Sequence, residues 1–209
     1  MSNEIRARYD DDTIVVYQAY SPEIAEPALR AGTFVPPFKR GRMTWGKPSF
    51  LWMAYRIGWA RKPGQERVLA VTITRAGFEW ALAHSCLSAF DPSHHPGDAA
   101  WGRELATSPV RIQWDPDKDL HLRPLPRRAI QIGLAGEASD SYVGEWITGV
   151  TDETERAHVF EALVRGPPPR RGPRAPPRRA APTRSARNSP PASAPADVPA
   201  LAPHGIHAN

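Results

Sequence analysis

Three groups of side chains in this sequence have the types and spacing that chemistry needs. The first surrounds the run TIVVYQAY at residues 13–20, where Arg6, Arg8, Gln18 and Tyr20 offer anion contacts and hydrogen bonds. The second is RMTWGKPSFLWMAY at residues 42–55, which interleaves Trp45, Trp52 and Tyr55 with Lys47 and Ser49. The third is a single carboxylate, Glu145, set between Tyr142 and Trp146. Arginine suits phosphate or carboxylate because its planar fork makes paired hydrogen bonds, and aromatic faces suit a planar ring. If folding brings the three groups to one cleft, they make a site for an anionic, ring-bearing, nucleotide-like molecule. Each group also has a structural alternative. Arg8 can pair with Asp10 or Asp12, the tryptophans can fill a core, and Glu145 can lie on the surface.

Other clusters are weaker. Asp10, Asp11 and Asp12 can bind a hard cation, but acids before a β-branched run more often form a solvated turn. His94 and His95 lie near Asp91, with no further ligand at a recognisable metal spacing. Cys86 is the sole cysteine, so there is no disulfide framework and no cysteine metal cluster, and it reads as a small core residue on a helix face. No metal site is expected. The sequence contains no GxGxxG, Walker A, GxSxG or HExxH motif, which removes the commonest dinucleotide, P-loop, hydrolase and zinc-peptidase readings.

The elements that must position these groups can be read from hydrophobic period and punctuation. Residues 13–20 form a strand buried on both faces. Ser21 and Pro22 open a helix that Gly32 stops, with Pro27 shortening or kinking it. Pro48 places the next helix start at about Ser49, and that helix runs to about Ile57. Trp52, Tyr55 and Trp59 then share one face at i, i+3, i+7 spacing, and Trp45 precedes the helix in a loop between Arg42 and Lys47. Residues 66–75 alternate as a strand, residues 76–90 have helical spacing that includes Cys86, and residues 91–109 read as a long loop. Strands follow at VRIQW, which ends at a DPDKD turn, and at RAIQIGL. The run GEASDSYVGEWITGV is ambiguous, open to a helix in its first part and a strand at EWITGV, and a final helix is capped by Thr151 or Asp152. The irregular order of strands and helices predicts an α+β fold, a mixed or antiparallel sheet with several helices in one compact domain over residues 1–165.

Residues 166–209 are a compositional break, with 12 of the 24 prolines and no aromatic side chain. Such a segment cannot bury enough apolar surface to offset its ordering entropy, so a disordered tail is expected. It carries seven Arg and one acid, Asp197, so the remaining 165 residues hold 20 basic and 21 acidic side chains, a net of −1. The overall +5 therefore belongs to the tail, which offers a basic tether for nucleic acid or an acidic partner. Any anion site in the body must rest on a local patch. The charged start MSNEIRARYDDD lacks an apolar signal region, and no stretch is apolar enough to span a membrane, so a cytoplasmic protein is expected.

The segments RARYDDDTIVVYQAYSPEIAEPALRAGTF, RMTWGKPSFLWMAYRIGW and RAIQIGLAGEA with YVGEWI, in that order, resemble the family called domain of unknown function 4291. The opening VYQAYSPEIAEPALRAGTF also resembles the first strand and helix of ADP-ribosyltransferases, with Tyr17-Gln18-Ala19-Tyr20 at the motif position. Gln18 and the absence of a Gly there depart from that pattern. Ser49, Tyr55 and Glu145 follow in the order of that superfamily's later motifs. This second resemblance implies an enzyme that uses NAD as substrate, breaks the nicotinamide N-glycosidic bond and transfers ADP-ribose. Glu145 would stabilise the positive charge on the ribose. Trp45, Trp52 or Tyr55 would stack on the nicotinamide, Arg8 or Lys47 would neutralise the pyrophosphate, and Gln18, Tyr20 and Ser49 complete the expected cofactor-binding set. The alternative is a non-catalytic module that binds a nucleotide or nucleic acid by stacking and arginine contacts.

Overall fold

The computed structural model describes residues 2–166, so the expected disordered tail, apart from its first residue Gly166, lies outside the described residues. The fold is α+β, built on two sheets. One contains β2 (Thr13–Tyr20), β4 (Arg67–Thr74) and β8 (Ile147–Asp152), all antiparallel with β4 in the centre. The other contains β7 (Pro124–Leu134), flanked on one side by β6 (Val110–Lys118) and on the other by β1 (Ser2–Glu4) and β3 (Thr44–Gly46). A short strand, β5 (Ser85–Leu87), closes it by pairing in parallel with β6. Around the sheets lie α1 (Pro22–Ala31), α2 (Phe50–Arg56), α3 (Arg75–Ala83), α4 (Asp98–Thr107), α5 (Glu137–Ser141) and α6 (Thr154–Arg165), with a π-helical turn at Tyr142–Trp146. No helix among the described residues is long and apolar enough to cross a membrane.

Local chemistry accounts for several of these elements. Helix α1 begins at Pro22, where the missing N–H costs nothing, and ends on Gly32 at φ 70°, a left-handed conformation that glycine adopts without strain. The helix runs over Pro27 without ending. Helix α2 is capped by Ser49, whose Oγ accepts from Trp52 N at 3.3 Å, and α3 by Thr74, whose Oγ1 accepts from Gly77 N at 3.2 Å. The three aspartates form a turn, in which Asp10 Oδ1 accepts from Asp12 N, Thr13 N and Thr13 Oγ1.

Pairing with distant strands overrides local pattern elsewhere. The helix expected over 76–90 stops at Ala83, and Cys86 lies in β5, not on a helix face. Part of the expected 91–109 loop is α4, and the expected DPDKD turn is mostly the end of β6. There the register shifts between Pro116 and Lys118, an irregularity that suits a residue with no N–H to give the ladder. Trp45 is in strand β3, not a loop. Trp59 lies past the end of α2, at φ 60°, so it does not extend the face of Trp52 and Tyr55. The N-cap position of α6 is Glu153, although Asp152 Oδ1 does accept from Thr154 N at 2.8 Å.

Two apolar clusters result. The larger gathers Ile14, Val16, Leu69, Val71 and Ile73 with Val110, Ile112, Ile130, Ile132 and Leu134, so it joins one face of each sheet. The smaller packs Val15, Tyr17, Val68 and Ala70 against Phe50, Met53, Ala54 and Ile57 of α2 and Ala157 of α6. Alternation along β6 and β7 leaves Gln113 and Gln131, which are register partners, on the face opposite Ile112 and Ile130. That polar face is where the candidate site lies.

Candidate functional site

Lys47 marks the junction of the two sheets. It follows β3, and its backbone exchanges hydrogen bonds with Tyr17 of β2, Tyr17 N to Lys47 O at 2.7 Å and Lys47 N to Tyr17 O at 3.1 Å. Only 4 % of Lys47 is exposed. Its Nζ donates to Gln131 Oε1 of β7, lies 3.3 Å from Asp115 Oδ2 of β6, and sits 3.1 Å from the centroid of the Trp52 ring. Asp115 also accepts from Gln113 Nε2 at 2.7 Å. Two side-chain acceptors and a π face thus surround a buried ammonium. Burial nevertheless pulls its pKa from 10.5 down to about 7 against the opposing pull of Asp115, and the Arg56 charge acts in the same direction as burial. Lys47 is therefore an amine that gains or loses a proton near neutral pH.

Beside Lys47 opens a cleft of about 650 Å³. Its walls include Tyr20, Phe38 and Trp45, its polar surface includes Thr44, Gln113 and Gln131, and its basic residues are Lys39, Arg42, Lys47 and Arg56. None of the lining residues is acidic. Trp45 is held across Gly133, its register partner in β7. A Cβ at Gly133 would lie 2.9 Å from the Trp45 ring and 2.8 Å from Met43 Sδ. A hydrogen-bonded chain supports this wall from below. Tyr142 Oη donates to Gln18 Oε1 at 2.9 Å, and Gln18 Nε2 donates to Thr44 Oγ1 at 2.9 Å and Trp45 O at 3.2 Å. The Tyr20 and Thr44 hydroxyls lie 2.8 Å apart. Burial pushes the Tyr20 phenol up to about 12, so its hydroxyl stays protonated across the physiological range.

The sequence-derived site residues divide accordingly. Tyr20, Trp45 and Lys47 line the cleft together. Gln18 lies beneath it, 1 % exposed, and orients Thr44 and Trp45. Ser49 caps α2 and borders a separate small cavity with Glu4, Arg6 and Asp117. Tyr55 is exposed and accepts from Lys118 Nζ at 3.0 Å, outside the cleft lining. Arg8 is also outside it, with its guanidinium 3.7 Å from Glu153 Oε1. Glu145 is an exposed residue of the π-helical turn and does not line the cleft.

Several residues at the site escaped the sequence reading, namely Gln113, Asp115, Gln131, Arg56, Lys39 and Phe38. The polar positions of β6 and β7 did carry a signal. Gln113, Asp115 and Gln131 fall at alternate positions within otherwise apolar, β-branched strands, which marks a second, polar sheet face. Arg56 and Lys39 carried none, because an exposed cation in a loop or at a helix end is the ordinary case.

Fold and site together define an α+β protein with a basic, aromatic-walled cleft at a two-sheet junction. The family described as a domain of unknown function (DUF4291) matches residues 4–171, and the chain belongs to it. No curated protein matches the sequence.

Proposed function

We propose that the cleft binds a phosphate-bearing, nucleotide-like ligand. The observation that carries this reading is the lining itself, which holds four basic side chains and no acidic one, in a body whose net charge is −1. Such a concentration of one sign, in a chain segment otherwise balanced, creates a local positive potential. Arg42 and Arg56 suit paired contacts with phosphate oxygens, Lys39 adds a point charge, and Trp45 offers a ring face. The volume suits a ligand of nucleotide size.

NAD has this chemistry, and ADP-ribose transfer is the catalytic version of the reading. It depends on a carboxylate at the ribose. Glu145 is not in the cleft lining, and Asp115, the nearest acid to Lys47, is already engaged by Lys47 and Gln113. Ligand binding is therefore the function that the geometry supports best. Calorimetric titration with ATP, NAD, ADP-ribose and adenosine tests it. The phosphate-bearing compounds should bind and adenosine should not. Arg42→Ala and Arg56→Ala should each weaken binding, with the loss shrinking as salt screens the charges. Equal affinity for adenosine, or unchanged affinity in both variants, refutes the proposal. Release of nicotinamide from NAD that Glu145→Gln abolishes would restore the transferase reading.

A further inference from the structure

A second cluster lies at the far edge of the larger sheet, on residues that the cleft does not use. Cys86 is in β5 and is 2 % exposed. His95 comes from the turn-rich segment between β5 and α4, and its side chain is 8 % exposed. Glu104 is on α4 with its side chain half exposed. One donor atom from each, a sulfur, an imidazole nitrogen and a carboxylate oxygen, lie within 4.8 Å of one another. The His95 Nε2 is 3.4 Å from Glu104 Oε2, and the His95 Nδ1 is buried with no hydrogen-bond partner among the described residues. The imidazole nitrogen that faces Glu104 is Nε2, and it is the one placed to bind a metal beside the carboxylate.

We propose that Cys86, His95 and Glu104 form a Zn²⁺ site, with three protein ligands and one position left for water. A tetrahedral zinc with bonds of roughly 2.0–2.3 Å spaces its ligand atoms roughly 3.3–3.8 Å apart, so these three need only a small closure. The donor set selects the metal. Thiolate and imidazole favour zinc, whereas Mg²⁺ and Ca²⁺ require oxygen ligands. Zinc binding replaces the thiol proton, which passes to solvent as the S–Zn bond forms. The Arg111 guanidinium is turned to backbone oxygens of Leu105, Ser108 and Val110. Scaffolding is already in place, because Trp101 Nε1 donates to Leu87 O at 2.8 Å and fastens α4 to the strand that carries Cys86. The metal would cross-link that strand, the segment between β5 and α4, and α4 itself.

The test uses the full chain, stripped with chelator and titrated separately with ZnCl₂ and CoCl₂. One Co²⁺ per chain should give a near-ultraviolet thiolate-to-metal charge-transfer band. Cys86→Ser should abolish the band, and His95→Ala should weaken Zn²⁺ affinity at least about tenfold. Glu104→Ala changes a half-exposed side chain, so reduced affinity with an unchanged circular dichroism spectrum would report a ligand and not a folding defect. Absence of the cobalt band in the full chain overturns the proposal. So does Zn²⁺ affinity that is the same in the full chain, Cys86→Ser and His95→Ala.

Discussion

Replacing Lys47 by methionine should change the pH dependence of stability in a defined direction. The folded chain holds Lys47 at about 7 and the ordinary lysine value is 10.5, a gap of about 3.5 units. At ~1.36 kcal/mol per unit, keeping this lysine charged in the fold costs on the order of 5 kcal/mol. The sign follows from proton counting. Between pH 7 and 10.5 the unfolded chain holds a proton on this amine that the folded chain has released, so stability rises with pH across that window. Below pH 7 both states are protonated and the full cost is present. Methionine keeps a similar length over the Trp52 ring and has no proton to lose. It gives up the bonds to Asp115 and Gln131, although Asp115 retains Gln113. Urea unfolding of both proteins from pH 6 to pH 10 measures the difference between them, in which titrations common to both cancel. Wild-type stability relative to Lys47→Met should be flat below pH 7 and then rise by roughly 1.4 kcal/mol per pH unit. A difference that stays constant from pH 7 to pH 10 would show that Lys47 keeps an ordinary, hydrated ammonium, and the account of a desolvated amine would fail.

Three further substitutions probe the scaffold and the site. A Cβ on Gly77 of α3 would lie 2.4–2.8 Å from the Trp146 ring, so Gly77→Ala should cost about 1–3 kcal/mol in urea unfolding through overpacking. Gly133→Ala should displace Trp45 and Met43, weakening nucleotide binding in calorimetry and shifting tryptophan fluorescence. Ser49→Ala should lower stability by about 1 kcal/mol through loss of the α2 cap and leave nucleotide affinity unchanged, because Ser49 borders a different cavity.

Elements shaped by short-range chemistry were legible in the chain. β2 and β4 show as alternating or continuous β-branched runs, α1 by Pro22 and Gly32, and α2 by Ser49 after Pro48. Cys86 shows the limit. The run around it has helical spacing, but residues 85–87 gain ladder hydrogen bonds from β6, a partner more than twenty residues away. Likewise Pro116 argues for a turn in isolation, while pairing with β7 carries the strand through a register shift. The site divides along the same line. Aromatic and basic residue types at 42–55 marked a segment suited to an anionic ring, and Tyr20, Trp45 and Lys47 do share the cleft. The order of residues along the chain carried no information on whether Glu145, Ser49 or Arg8 would join them, and they lie elsewhere. By sequence alone Lys47 is an ordinary lysine. It becomes a buried amine because β3 is bridged to β2 on one side and paired to β7 on the other. His95 and Cys86 are nine residues apart with no metal spacing between them, and meet only because β5 and α4 fold together. Composition and period determine which faces are buried, since those are properties of neighbouring residues. Which side chains meet, and how burial then shifts their protonation, depends on contacts between distant segments, and these exist only in the folded chain.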